Sequence, residues 1–131
     1  MTVLIVDDTA IVRMAVREIL VNKCNIEDNN CFEADSISSA ESMYHTQRPN
    51  LVILDISMPM EGRSGTNAEA IISLIKQFRA LNSSVKIIMC SATADQTVIR
   101  QCLDAGAVDY LTKPLQAKRM VQAIDTVRDG I

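Results

Sequence analysis

The sequence predicts a doubly wound α/β fold, one parallel sheet with helices on both faces, and two observations carry that prediction. Short apolar runs alternate with longer segments of helical period, the pattern of parallel strands joined by crossover helices. The runs are also unequal: Val3 to Val6, Leu51 to Leu54 and Val85 to Cys90 are the strongest, whereas Cys31 to Ala34 and Val108 to Thr112 are weaker. Strands buried on both faces read as unbroken apolar segments, so the three strong runs belong in the middle of the sheet and the two weak ones at its edges.

Taken in order, Val3 to Val6 is the first strand, followed by a helix whose sheet-facing stripe is Val12, Ala15, Val16, Ile19 and Leu20 at i, i+3, i+4, i+7 and i+8. The polar connection Asn22 to Asn30 reads as an exposed loop leading to the second strand, Cys31 to Ala34. Ser38 and Glu41 are placed to cap the second helix. After the third strand, Thr66-Asn67-Ala68-Glu69 has the spacing of a capping box for a helix packed through Ile71, Leu74, Ile75 and Phe78. The fourth strand, a fourth helix and the fifth strand follow, then a last helix with Ala117, Met120, Val121 and Ile124 inward. The resulting strand order is 2-1-3-4-5, the flavodoxin-like (βα)5 arrangement.

A chain of 131 residues, 48% hydrophobic and 22% charged, is expected to form one domain over residues 1–131, with no linker and no repeat beyond the βα unit. No apolar run approaches the roughly 20 residues of a membrane span, and the first strand is too short for a signal sequence, so a cytoplasmic protein without membrane insertion is expected. A net charge of −3, with two Tyr and two Phe, offers no basic aromatic surface for nucleic acid. The four cysteines, Cys24, Cys31, Cys90 and Cys102, have no metal-ligand rhythm and are expected to be reduced packing residues. His45, alone of its type, is expected to be a solvated cation at a helix end.

The chemistry lies where the strands stop. In a doubly wound sheet, ligands bind beyond the carboxyl ends of the strands. Asp7 and Asp8 follow the first strand, Asp55 the third, Ser91 the fourth and Lys113 the fifth, so all five converge on one edge. Two carboxylates about 5 Å apart repel by roughly 3 kcal/mol at an effective dielectric near 20, so something cationic must compensate. Lys113 neutralises one charge, and the rest suits Mg2+, a hard cation commonly held by one or two carboxylates and a phosphate. Asp55 is then both a ligand and a nucleophile able to form an aspartyl phosphate, with Lys113 and the Ser91 hydroxyl on the phosphoryl oxygens. Each residue alone has a plainer reading: Asp8 a helix N-cap, Ser91 a turn residue, Lys113-Pro114 a strand terminator, Tyr110 an edge-strand packing residue. Capping does not explain a second acid after Leu54.

Asp7-Asp8 in "VLIVDD", Asp55 in "DISMP", Ser91-Ala92 in "MCSAT", and Tyr110, Lys113 and Pro114 in "GAVDYLTKP" resemble a response-regulator receiver domain, of the stand-alone, chemotaxis-regulator-like kind. The resemblance covers essentially the whole chain. It implies a signalling phospho-acceptor, not a turnover enzyme: Asp55 phosphorylated by a sensor histidine kinase or histidine phosphotransfer protein. Asp8 would bind Mg2+ directly, Asp7 largely through water, and Ser57 through its backbone carbonyl. Lys113-Pro114 would be a cis peptide. Ser57 and Thr93 would flank the site and set the lifetime of the phosphate. One departure stands out: Met60-Glu61-Gly62 follows Pro59 at once, where the family usually has one more residue before Met, and Arg63, Ser64 and Gly65 are added.

The resemblance further implies Ser91 and Tyr110 as a switch pair that alters the surface of the fourth helix, fifth strand and fifth helix. That face, with Ile99, Cys102, Tyr110, Lys118 and Arg119, would meet a downstream protein or a second copy in a homodimer. Three alternatives remain. A phosphatase of haloacid-dehalogenase type also uses Asp, Ser or Thr, Lys and Mg2+, but Asp55-Ile56-Ser57 lacks the second acid of its Asp-x-Asp. A flavodoxin would have a phosphate loop after the first strand, where Asp7-Asp8 would repel phosphate. The chain could also be the receiver portion of a longer regulator.

Overall fold

The computed structural model describes residues 1–58, 68–92 and 95–129. In chain order the elements are β1 (Val3–Val6), α1 (Ala10–Lys23), β2 (Cys31–Ala34), α2 (Ile37–Gln47), β3 (Leu51–Asp55), α3 (Ala68–Leu81), β4 (Lys86–Ser91), α4 (Gln96–Ala105), β5 (Asp109–Thr112) and α5 (Ala117–Arg128). The strands form one parallel sheet in the order β2-β1-β3-β4-β5. The three strongest runs are the central strands and the two weaker ones the edges, as their burial demands.

Alternation along each strand feeds two apolar layers. Leu4, Val6, Val52, Leu54, Ile87 and Met89 pack against α2, α3 and α4, while Val3, Ile5, Leu51, Ile53, Ile88 and Cys90 pack against α1 and α5. Ile71, Leu74, Ile75 and Phe78 are all buried, as the period of α3 predicts. Tyr44 of α2 stacks on Phe78 with ring centroids 4.1 Å apart, and its hydroxyl donates to the Phe78 carbonyl at 3.1 Å. That bond lets the phenol oxygen sit inside an apolar layer. All four cysteines are free and buried in these layers, and His45 is exposed in the last turn of α2.

Several local expectations are corrected. Ala15 is exposed: it lies about 60° from Val12 on the helical wheel, on the side of Ile11 and Met14, which are also exposed. Ala117 opens α5 and is exposed, and the buried stripe runs through Met120, Ala123, Ile124 and Val127 instead. The connection from Asn22 is not all loop. Asn22 and Lys23 belong to α1, and Cys24 and Ile26 are buried, their amides donating to Ile19 and Leu20 carbonyls. Asn25 and Glu27 are exposed on either side of Ile26, and Asp28–Asn30 make one 3-10 turn before β2. The cap of α2 is Ser36, not Ser38 with Glu41: Ser36 Oγ accepts from the Ser39 amide and Ser39 Oγ from the Ser36 amide, both at 3.1 Å. This is a capping box with Ser in place of the usual Glu or Gln. Thr66 and Asn67 of the expected α3 box, and the 60–65 segment, lie outside the described residues.

Candidate functional site

Parallel register aligns the carboxyl ends of the strands. Val6 pairs with Leu54, Asp55 with Cys90 and Ser91 with Thr112, so the residues that follow these positions emerge together. Asp7 prolongs β1 by donating its amide to Ala34 at 3.1 Å, and its side chain is buried against the strand ends. Asp8, the next residue, projects to solvent. Asp55 closes β3 and is 3% exposed. Asp7, Asp8 and Asp55 each offer one carboxylate oxygen within 4.8 Å of the others.

Buried carboxylates persist only where donors meet them. Lys113 reaches across from the end of β5, its Nζ 2.7 Å from Asp7 Oδ2 and 3.2 Å from Asp55 Oδ2. The other oxygens have local partners: Asp7 Oδ1 accepts from the Thr9 amide at 2.9 Å, and Asp55 Oδ1 from the Ser57 amide at 2.9 Å and the Ser57 hydroxyl at 2.6 Å. Burial lowers the Lys113 pKa, but the bond to Asp7 and the charge of Asp55 outweigh it and leave the ammonium above the ordinary lysine value. It is therefore a fixed positive charge at neutral pH. Three carboxylates against one ammonium leave a formal charge of −2 in a pocket of hard oxygen donors, a match to one divalent cation.

Ser91 is the last residue of β4, 1% exposed, and its carbonyl accepts from the Lys113 amide at 2.9 Å, which ties the β5 loop to the site. The Lys113–Pro114 peptide is cis, as expected. Tyr110 lies half-buried on β5 opposite Met89, packed against the α2, α3 and α4 layer. Cys90, beside Asp55 in register, is no rival nucleophile: burial pushes its thiol up to about 12 against the smaller opposing pull of Lys113. The N-cap of α1 is Thr9 and not Asp8, so the plainer reading of Asp8 fails.

The structure thus brings Asp7, Asp8, Asp55, Ser57 and Lys113 together and puts Ser91 at the same edge. It does not support the whole of the expected output face. Ile99 and Cys102 are buried, 7% and 0% exposed, because they form the inward stripe of α4. Tyr110 is half-buried, and Lys118 and Arg119 are exposed; the apolar exposure nearby comes from Leu103 and Val108. Thr93 lies outside the described residues. Two contacts escape sequence reading, one of them made by a residue already expected at the site. The Ser57 hydroxyl donates to Asp55 Oδ1 at 2.6 Å, and Arg13 of α1 donates from Nη1 to the Asp7 carbonyl at 2.6 Å. Nothing in the spacing of Arg13 marks it, since its anchor, Glu33, is 20 residues away on β2.

Comparison with known proteins agrees with this geometry. The family model for the response regulator receiver domain matches residues 3–125. The chemotaxis protein CheY of Bacillus subtilis is 36% identical over 128 residues, covering 94% of this chain and 93% of that protein. CheY of Thermotoga maritima is 36% identical over 126 residues, 95% of each. A solved CheY-like receiver domain protein from Methanospirillum hungatei JF-1 superposes with a TM-score of 0.80 over 98% of this chain and 94% of that one; at 22% identity it shows the shared fold. A match that takes in all five strands and the acidic site at their ends shows that the chain belongs to the response regulator receiver domain family of two-component signalling.

Proposed function

We propose that Asp55 is the phosphoryl acceptor of a Mg2+-dependent, phosphorylation-controlled protein-binding switch acting as one receiver unit over residues 1–131 in the cytoplasm. The observation that carries this reading is the meeting of three carboxylate oxygens within 4.8 Å with the Lys113 ammonium 2.7 and 3.2 Å from two of the acids. Asp8 and Asp55, with the Ser57 carbonyl, would hold Mg2+, and Asp7 would act through water because Lys113 already occupies its Oδ2. Bound there, the ion supplies charge neutralisation on phosphoryl oxygens.

The chain's own groups do the rest. An Asp55 carboxylate oxygen attacks the phosphorus of a phosphohistidine donor; the P–O bond forms as the P–N bond breaks, and the electron pair stays on the imidazole nitrogen. Lys113, charged and held in place, screens the incoming phosphoryl oxygens, and the Ser91 hydroxyl is the neutral donor that moves towards them. Ile11 and Met14 lie in the first turns of α1, which follows Asp8 and Thr9 in the chain, and at 72% and 66% exposed they offer an apolar ledge to the kinase or phosphotransfer helix that carries the histidine.

Output runs through Ser91 and Tyr110. Movement of Ser91 towards the phosphate opens space into which Tyr110 turns, shifting the population of the surface formed by Leu103, Val108, Tyr110, Lys118 and Arg119. A downstream protein or a second copy would read that surface. The test is incubation with Mg2+ and a small acyl phosphate, followed by intact mass: one phosphoryl adduct is expected, lost in Asp55→Asn and on chelation. An adduct that survives Asp55→Asn would overturn the assignment. Turnover of a phosphomonoester would favour the phosphatase alternative, which the comparisons do not favour.

A further inference from the structure

An ionic chain runs along α1 and β2 from the base of the sheet to the acidic site. At its lower end Arg17 donates from Nη1 to the Asp28 carbonyl and carboxylate, both at 3.0 Å, and from Nη2 to the Cys31 carbonyl at 3.0 Å. In the middle Glu33 is clamped from both sides, by Arg17 Nε at 3.0 Å and Nη2 at 2.8 Å on Oε2, and by Arg13 Nε at 2.9 Å on Oε1. At the upper end Arg13 uses its remaining arm on the Asp7 carbonyl. The Arg13 side chain is 17% exposed, more enclosed than an ordinary surface ion pair.

That last carbonyl belongs to the peptide unit joining Asp7 to Asp8. Its orientation sets the backbone torsions on either side, and hence the direction in which both carboxylates leave the chain. The Asp7 amide is already fixed to Ala34 and the Thr9 amide to Asp7 Oδ1, so Arg13 supplies the third restraint on a two-residue turn. Arg13 spans Glu33 and the carbonyl with two different nitrogens, Nε and Nη1, held in one rigid plane; a lysine would have a single nitrogen on a flexible stem for both.

We infer that Arg13, anchored by Glu33, is a positioning residue for the cation site: it holds the Asp7–Asp8 peptide so that the two acids present their oxygens together with Asp55. The inference rests on the proposed function of that site. Its sign separates it from simple electrostatics. Arg13 is a positive charge near a cation site, so if charge alone mattered, removing it would tighten Mg2+ binding; if it positions, removing it weakens binding.

The experiment is calorimetric titration of the folded full chain with Mg2+ for wild type, Arg13→Met, Arg13→Lys, Glu33→Gln and the Arg13→Met/Glu33→Gln pair. Arg13→Met is expected to raise the Mg2+ Kd about tenfold, the low end of the ~10–100-fold typical when a residue orienting a metal ligand is removed. Arg13→Lys, which keeps the charge and loses the fork, is expected to do the same. Glu33→Gln raises Kd less and adds nothing once Arg13 is gone. Phosphorylation by acyl phosphate should recover towards the wild-type rate at saturating Mg2+. Unchanged or tighter binding in both Arg13 variants would overturn the inference, and should Arg13→Met not fold, Arg13→Lys with Glu33→Gln decides in its place. A wild type that binds no Mg2+ would instead overturn the reading of the site, and this inference with it.

Discussion

Replacing Asp8 with Ala should make the metal-free protein more stable while destroying its response to Mg2+. Asp8 places a carboxylate oxygen within 4.8 Å of both Asp7 and Asp55. Each such like-charged pair is repulsive by about 0.9 kcal/mol at the dielectric of water and about 3.5 kcal/mol at an effective value of 20. Asp8 is exposed, which puts the cost near the lower figure, so removing both repulsions, less the attraction to the nearby Lys113 ammonium that goes with them, stabilises the apo fold by about 1 kcal/mol. For a chain of this length 1 kcal/mol moves Tm by roughly 3–5 °C, which is the gain expected.

In the wild type, Mg2+ at about 100 times its Kd adds about 2.7 kcal/mol through linkage, and that increment should disappear from the variant. Circular dichroism melts of both proteins with and without Mg2+ measure all four quantities. Were Asp8 a helix cap, Asp8→Ala would instead cost about 1 kcal/mol. A lower apo Tm, or a Mg2+-induced rise equal to that of the wild type, would refute the argument that these acids form a cation site held against their own repulsion.

Other consequences are as specific. The Lys113 pKa is raised above 10.5 in the folded protein, so its contribution is complete below that pH and is lost as pH rises through the folded value; stability of the wild type should fall more steeply above 10.5 than that of Lys113→Met, in chemical denaturation at stepped pH. Equal slopes would show that the ammonium is not coupled to Asp7 and Asp55. Gly106 sits at φ +128°, and a Cβ there would meet Arg79 Nε at 2.9 Å, where Arg79 is itself held by the Ser83 and Val85 carbonyls. Gly106→Ala should therefore cost about 1–3 kcal/mol by urea unfolding, and a neutral result would mean that the turn relaxes. Ile11→Ser with Met14→Ser should slow phosphorylation by a histidine-phosphorylated donor several-fold while leaving the acyl phosphate reaction unchanged, since a small donor needs no ledge. Equal slowing of both would place the two residues in folding or chemistry instead.

Much of this protein was legible without coordinates because the relevant information is local. An apolar run that halts at Asp55, or a pair of acids after Val6, marks a strand end by adjacent residues alone, and parallel topology then forces all strand ends to one edge. The apolar stripe of α3 was readable for the same reason: Ile71 to Phe78 repeat with the helical period. Where local patterns mislead, they do so at margins. Ala15 and Ala117 fit the period but are small, so their placement is settled by which neighbours stand over the helix. The resemblance puts Ile99 and Cys102 on the output face, whereas the packing of α4 on α3 and the sheet turns them in.

Sequence alone determined the strand order, the central and edge strands, and the set Asp7, Asp8, Asp55, Ser91 and Lys113, since each follows from periodicity and from where an apolar run ends. Only the tertiary structure decided that Lys113 bridges Asp7 to Asp55, that Ser57 bonds Asp55 through its hydroxyl, and that Arg13 reaches the Asp7 carbonyl through its clamp on Glu33. These are pairings between polar side chains brought together by the sheet. No periodicity announces them, because a guanidinium or a hydroxyl has many partners within reach in sequence and chooses among them only when the backbone has set distance and direction.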